Sequence, residues 1–177
     1  RERALALIQQ AQESSATEFP IAQLTLVQSE GEMPITVDDL KSALEESRFR
    51  DMAAGRTLIG PHRTDMLGVF QRKGINAKDC STGEQKALLI SMILANVRAL
   101  KEKIGAAPLV LLDEVSAHLD NERRAALYHE VYELGAQAWM TGTEIDVFRE
   151  LGDRAQAIKV SETDGLSNTT QHDTCLL

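Results

Sequence analysis

In this 177-residue chain, the segment Leu109-Val110-Leu111-Leu112-Asp113-Glu114 indicates the fold most directly. Its apolar run lies between Pro108 and Asp113, as is typical of a parallel strand that is buried on both faces. The two carboxylates follow at the carboxyl end of that strand, where open α/β sheets place their ligands. The run therefore predicts both a central strand and a candidate site.

Asp113 and Glu114 have two interpretations. Successive side chains that leave a strand diverge, so Asp113 can help hold Mg²⁺ while Glu114 orients or deprotonates a water molecule that attacks a γ-phosphate. Alternatively, the pair only ends the strand and caps the following turn. The next residues, Ser116-Ala117-His118-Leu119-Asp120, favour the first interpretation because they match the D-loop of ABC-type ATPases in place and composition.

Helices and strands alternate along the whole chain. Apolar periodicity and turn residues predict helices at 1–12, 36–52, 121–134 and 146–151, another after Gln85 that ends at 101–105, and strands at 21–27, 66–71, 109–112, 137–140 and 155–160. This order predicts an α/β fold with a largely parallel sheet flanked by helices. Trp139 is expected to pack in the core. The segment 161–177, rich in Ser, Thr, Asp and Asn, predicts a disordered tail.

Composition limits the class of protein. A net charge of −8 and a pI near 5.0 argue against nucleic-acid binding by bulk electrostatics, so any DNA contact must be local. Cys80 and Cys175 lie far apart without metal-ligand spacing, which fits a reducing cytoplasm. No apolar run approaches the roughly 20 residues of a membrane span, so no membrane partner is expected. The chain begins with Arg1, and we expect an N-terminal part of a longer protein to precede it.

The segment Asp79-Cys80-Ser81-Thr82-Gly83-Glu84-Gln85 is a second candidate site. Ser81 and Glu84 fit a capping box, in which each side chain hydrogen-bonds the other residue's backbone amide, and this role alone could justify both residues. It does not explain Gly83, since glycine costs roughly 1 kcal/mol relative to alanine in a helix. A glycine at a helix start suits close approach of a phosphate. The two interpretations are compatible.

The sequence lacks one element that a complete nucleotide site needs. No Gly-x-x-x-x-Gly-Lys-Ser/Thr phosphate loop occurs between Arg1 and Leu177. The chain therefore carries half of a nucleotide site.

Three ordered motifs resemble the RecF family of bacterial recombination mediators. They are Thr57-Leu58-Ile59-Gly60-Pro61-His62-Arg63-Thr64-Asp65, then Asp79-Cys80-Ser81-Thr82-Gly83-Glu84-Gln85-Lys86, then Leu111-Leu112-Asp113-Glu114-Val115 with Leu119-Asp120 and Arg123-Arg124. The resemblance implies the C-terminal portion of an ABC/SMC-like ATPase head. In that portion 1–56 is a helical lobe with one strand, and 57–160 belongs to the ATPase core. The resemblance also implies ATP-dependent dimerisation on gapped DNA and loading of recombinase with RecO and RecR partners.

The same resemblance implies a role for each site residue. Asp113 is the Mg²⁺ carboxylate and Glu114 the catalytic base. The signature residues, which touch ATP held by the other subunit, are Ser81, Thr82, Gly83, Glu84 and Gln85. The D-loop residues Ser116 and Asp120 cross the dimer interface. The implied cofactors are ATP and Mg²⁺, and this chain alone is expected to be inactive as an ATPase.

Thr141 and Thr143 depart from the general ABC pattern, because they occupy the region where many ABC proteins carry a switch histidine. Either threonine could hydrogen-bond a phosphate or water, but neither carries a proton charge, so slow hydrolysis by the intact protein is expected. Arg63 has two interpretations, a contact to a phosphate of ATP or DNA and an ion pair with a surface acid. Two alternatives for the whole chain stay open: a non-catalytic interaction module and the head of another ABC/SMC-type ATPase.

Overall fold

The computed structural model describes residues 1–28, 34, 36–114 and 119–172. Its α-helices are α1 (Glu2–Glu13), α2 (Val37–Ala54), α3 (Thr82–Ile104) and α4 (Asn121–Glu133). Its strands are β1 (Ala22–Gln28), β2 (Thr64–Phe70), β3 (Ile75–Asn76), β4 (Val110–Leu112), β5 (Ala138–Met140), β6 (Ala157–Thr163) and β7 (Leu166–His172). Short 3-10 segments occupy Pro61–Arg63, Ala77–Asp79 and Ile145–Arg154. The predicted mixture of helices and strands is therefore confirmed.

Within the described ranges the strands form three small sheets, so the structure does not show the largely parallel sheet that the sequence predicts. β1, β2 and β3 pair antiparallel in that order, β4 pairs in parallel with β5, and β6 pairs antiparallel with β7. Helix α4 connects β4 to β5 and gives the only parallel pair in the described ranges. Hydrophobic periodicity locates a strand, but the direction of its partner depends on long-range pairing that periodicity does not report.

β1 and β2 pair along their whole length, from Ala22 opposite Phe70 to Gln28 opposite Thr64. A strand of the predicted lobe at 1–56 therefore shares a sheet with a strand of the predicted core at 57–160. The boundary between these two segments stays a prediction.

A β-hairpin occupies most of the predicted tail. β6 and β7 pair from Ala157 opposite His172 to Thr163 opposite Leu166. The two loop residues, Asp164 and Gly165, both have positive φ angles, as the favoured two-residue hairpin turn requires. The prediction of disorder is wrong for 161–172 because this turn and the cross-strand pairing outweigh the polar composition. Residues 173–177 lie outside the described residues.

Helix α3 is the central element of the fold. Ile90, Leu94 and Val97 pack in a core with β4 and α4. Leu88 packs in a second core with β1 and β2, while Ala95 packs against α1 in a third. The helix begins at a capping box and ends at Gly105, whose left-handed conformation closes its last turn. The segment predicted as a second site is thus the first turn of the helix that joins all three cores.

The β4–β5 sheet is buried on one face only. Val110 and Leu112 are 4% and 3% exposed, whereas Leu109, Leu111 and Trp139 are 56%, 71% and 57% exposed. Leu111 lies opposite Trp139 in the register, and alternate residues of a strand point to opposite faces. The predictions of a strand buried on both faces and of a core position for Trp139 are therefore wrong for this chain.

Two glutamines of α1 cover the edge of β1. The side chain of Gln12, which is buried, accepts from the Ala22 N–H at 3.0 Å and donates to the Ala22 carbonyl at 3.2 Å. The side chain of Gln9 accepts from the Leu24 N–H at 3.0 Å. These bonds satisfy edge groups that would otherwise be open to pairing.

None of the helices in the described ranges has the length and hydropathy of a membrane span.

Candidate functional site

The candidate site lies where β4 and β5 end. Leu112 and Met140 are neighbours in the parallel register, and the Thr141 N–H donates to the Leu112 carbonyl at 3.0 Å. The next residues of the two strands, Asp113 and Thr141, are therefore brought side by side. The Thr141 hydroxyl donates to Asp113 Oδ1 at 2.5 Å. Parallel strands thus assemble a carboxylate and a hydroxyl from positions 28 residues apart in the chain.

The main chain of Glu114 is held on both sides. Its N–H donates to Thr141 Oγ1 at 2.9 Å, and its carbonyl accepts from Lys86 Nζ at 2.7 Å. Its φ angle is +45°, in the left-handed region that costs a non-glycine residue roughly 1–2 kcal/mol. Such conformations persist where the surroundings fix them, and they concentrate at functional sites. The two hydrogen bonds supply that restraint here.

Asp113 and Glu114 suit the predicted magnesium and base roles in donor type. Both are exposed just beyond the carboxyl end of β4. Mg²⁺ is commonly held by one or two carboxylates together with water and substrate phosphates. Across the ranges that the structure describes, no group of three or more His, Cys, Asp and Glu side chains is placed to hold a metal ion. The roles of Asp113 and Glu114 stay predictions.

The predicted capping box is present at the start of α3. The Ser81 N–H donates to Glu84 Oε2 at 3.0 Å, the Ser81 hydroxyl donates to the same oxygen at 2.9 Å, and the Glu84 N–H donates to Ser81 Oγ at 3.4 Å. The carboxylate of Glu84 also pairs with Lys73. The hydrogen bond from Lys73, with those from Ser81, lowers the pKa of Glu84 from 4.5 to about 2. The helix start is therefore held by an ionised carboxylate.

Gln85 braces the loop that leads into α3. Its side-chain amide donates to the Lys78 carbonyl and to the Cys80 carbonyl, both at 3.0 Å.

Thr82, the first residue of α3, is exposed. Apart from its chain neighbours and the backbone of its own helix, Gly83 has nothing within 4 Å of the position that a Cβ would occupy. Packing among the described residues therefore does not require a glycine at position 83. The space above it admits close approach of a group from outside the chain.

The remaining predicted site residues have other surroundings. Asp120 is the N-cap of α4, and its carboxylate accepts from the Arg123 N–H at 2.8 Å. Ser116 lies outside the described residues. Thr143 lies in the exposed loop that follows β5. Arg63 ends the turn Pro61–Arg63 and helps to line a cavity of about 370 Å³ with Arg56, Thr57 and His62. The predicted roles of these residues stay predictions.

Two lysines complete the site and were not assigned from the sequence. Lys86 contacts Glu114 although the two residues lie 28 positions apart, and Lys73 pairs with Glu84 from the turn between β2 and β3. No local spacing signals either contact. The sequence does indicate that Thr141 lies close to Asp113, because residues that follow neighbouring parallel strands meet at one edge of a sheet.

Solved structures place the fold in a class. The chain matches the structure of the recombination mediator protein RecF-ATPrS in the RecFOR pathway with a TM-score of 0.57 and 22% identity, over 95% of this chain and 44% of that one. It matches an Smc head bound to the C-winged helix domain of ScpA with a TM-score of 0.56 and 18% identity, over 97% and 44%. The chain thus has a mixed α/β fold that is similar to portions of the RecF and Smc-head structures.

Sequence relatives of this chain are RecF proteins. The chain is 53% identical to the DNA replication and repair protein RecF of Rhizobium etli over 125 residues, which are 71% of this chain and 33% of that protein. It is 49% identical to RecF of Rhizobium rhizogenes over 156 residues, 85% of this chain and 42% of that protein. No family model matches the chain. The chain is homologous to RecF and spans about a third to two fifths of the length of these relatives.

Proposed function

We propose that this chain is the portion of a RecF-like DNA replication and repair protein that carries the signature, catalytic carboxylate and D-loop elements. The observation that carries the proposal is the identity of about half of the aligned residues with RecF. The complete protein would bind ATP and Mg²⁺ and dimerise on gapped duplex DNA. It would load recombinase with RecO and RecR partners in the bacterial cytoplasm.

The chemistry of hydrolysis is assigned to the end of β4. Asp113 would be the carboxylate that helps hold Mg²⁺, and the ion would neutralise charge that develops on the phosphate oxygens. Glu114 would accept the proton of the attacking water, since a positioned carboxylate within hydrogen-bond reach can act as a general base. Both side chains are exposed. The Glu114 N–H donates to the Thr141 hydroxyl, and that hydroxyl donates to the Asp113 carboxylate, which supports this assignment.

The start of α3 would contact ATP that is held by a second subunit. The first amides of a helix attract phosphate through their free N–H groups and the helix dipole. Gly83 supports this assignment because the space above it is open. Ser81 would have to exchange its bond to Glu84 for one to the phosphate. ATP would then join the two subunits, and its hydrolysis would release them.

The proposal predicts the behaviour of Glu114→Gln in the complete protein that contains this sequence. ATP affinity should stay within about twofold, while turnover should fall by about 10²–10⁴-fold, the usual contribution of a general base. Dimers should therefore accumulate with ATP, as measured by light scattering after size-exclusion chromatography. Parental turnover by this variant would show that Glu114 is not the base.

Gly83→Ala in the Glu114→Gln background tests the signature assignment separately. The added methyl group should prevent the accumulation of dimers because it fills the space that the phosphate approaches. It should also raise the free energy of unfolding of the monomer by up to about 1 kcal/mol, since alanine is the better helix former. Dimers that persist in the double variant would show that Gly83 does not lie at the contact between subunits.

A further inference from the structure

Lys86 connects the two halves of the candidate site within one subunit. It lies in the second turn of α3, a few residues after Gly83, and its Nζ donates to the Glu114 carbonyl at 2.7 Å. The start of α3 is the element assigned to ATP of a second subunit, whereas Glu114 is assigned to ATP of its own subunit. This hydrogen bond thus joins elements that would serve two different nucleotides.

The peptide groups on both sides of Glu114 are bonded to different elements. The N–H is bonded to Thr141 beyond β5, and the carbonyl is bonded to Lys86 on α3. Because Glu114 has a φ angle of +45°, loss of either partner lets the residue leave the left-handed region. A change of φ and ψ at this residue would redirect its carboxylate.

The hydrogen bond between Lys86 and the Glu114 carbonyl can shift only when helix α3 moves as a rigid element. Its residues are buried in all three cores of the chain, so the position of the Lys86 backbone follows the helix as a whole. Lys86 as a whole is half-buried. A shift of the helix start would therefore pull on, or release, the carbonyl of Glu114.

We propose that Lys86 and Thr141 are positioning residues that set the orientation of Glu114, and that Lys86 transmits contact at the signature turn to the base of the same subunit. The proposal rests on the proposed function for the role of Glu114. Thr141 holds the N–H of Glu114 in place. Lys86 holds the carbonyl of Glu114 and shifts it when helix α3 shifts. Engagement of the second subunit would thereby tune hydrolysis at the first subunit's nucleotide.

The test uses the complete protein with Lys86→Met, which removes the ammonium donor and keeps an unbranched side chain. Turnover should fall by about tenfold or more, because misplacing a catalytic group by an ångström has effects of this size or larger. The KM for ATP should stay within about twofold, since Lys86 is assigned no contact to ATP. Lys86→Arg, which keeps a donor, should recover most of the turnover. Unchanged turnover in Lys86→Met would overturn the proposal.

Lys101→Met is the matched control. Lys101 lies on the same helix, and its Nζ donates to the Leu134 carbonyl at 2.8 Å, a bond of the same chemistry far along α3 from the site. This variant should lose stability without losing turnover. Equal losses of turnover in Lys101→Met and Lys86→Met would assign both effects to general destabilisation and reject the positioning role.

Amide hydrogen exchange separates this proposal from the proposed function. In the protein without nucleotide, the Glu114 amide should exchange about tenfold faster in Thr141→Val, while Thr141→Ser should keep its protection. Lys86→Met should also speed this exchange, because the residue is released from its left-handed conformation. A parental protein without ATPase activity would reject the proposed function alone. Exchange at Glu114 that neither Lys86→Met nor Thr141→Val changes would reject the positioning role alone.

Discussion

Glu84 shows how one side chain can serve both structure and recognition. Its carboxylate binds the Ser81 amide and hydroxyl and also pairs with Lys73. The spacing Ser-x-x-Glu was sufficient to predict the bonds to Ser81 because they are local. Lys73 lies in a turn 11 residues earlier, and no periodic pattern in the sequence links it to the helix start. The pKa of Glu84 thus depends on a contact that only the folded chain defines.

We expect the stability difference between the parent chain and Glu84→Gln to depend on pH. The folded pKa of Glu84 is about 2, below its ordinary value of 4.5, mainly because of Lys73. A lowered carboxyl pKa contributes stability that is complete above the unfolded pKa and is lost as the pH falls through the folded pKa. The difference in free energy of unfolding should be largest above about pH 5 and decline towards about pH 2. Urea denaturation across this range measures it.

Lys73→Met provides the partner control for this prediction. Removal of the ammonium should raise the Glu84 pKa, because Lys73 is the largest cause of its shift. The acid-dependent loss of stability should then be smaller than in the parent chain and should end at a higher pH. A difference between parent and Glu84→Gln that does not vary with pH would show that the pKa of Glu84 is not lowered in the folded chain.

At the scale of elements, the sequence located helices and strands well and their partners poorly. The strand predicted at 137–140 is β5 at Ala138–Met140, and the helix predicted at 121–134 is α4 at Asn121–Glu133. Period and capping residues are local and are therefore readable. Strand direction, the β6–β7 hairpin and the contact of Lys86 with Glu114 depend on residues brought together by the fold. The sequence thus predicts which residues belong to the candidate site but not how they are arranged in space.

Gln12 should be the most costly polar residue of α1 to replace. Gln12→Met keeps an unbranched side chain of similar length but leaves the N–H and carbonyl of Ala22 without their partner. Each buried group left unpaired costs about 1–3 kcal/mol, so the free energy of unfolding should fall by about 2–4 kcal/mol. Thermal or urea unfolding measures the change.

Gln9→Met is the matched control on the same helix. Gln9 satisfies one group of β1, the Leu24 N–H, and is less buried than Gln12. Its replacement should cost about 1 kcal/mol, the usual net value of one hydrogen bond. Equal losses in the two variants would contradict the assignment of Gln12 as the residue that closes the β1 edge.

At the scale of the whole molecule, the outer face of the β4–β5 sheet is the most informative surface. Leu109, Leu111 and Trp139 form an exposed apolar patch, although parallel strands are normally covered on both faces. The chain spans only 33% and 42% of two RecF relatives. In a protein of RecF length, we expect the remaining sequence to cover this face.

Trp139 reports on this prediction because it is the only tryptophan of the chain. Acrylamide should quench its fluorescence strongly in this chain and several-fold less in a protein of RecF length whose other tryptophans are replaced by phenylalanine. Leu111→Ser should cost within about 0.5 kcal/mol here, as at most surface positions, and about 1.5–3 kcal/mol in the longer protein, where the leucine is buried. Val160→Ser on the exposed hairpin is the control and should cost the same in both. Equal quenching of Trp139 in the two proteins would show that this face stays open to water in the longer protein and would contradict the prediction.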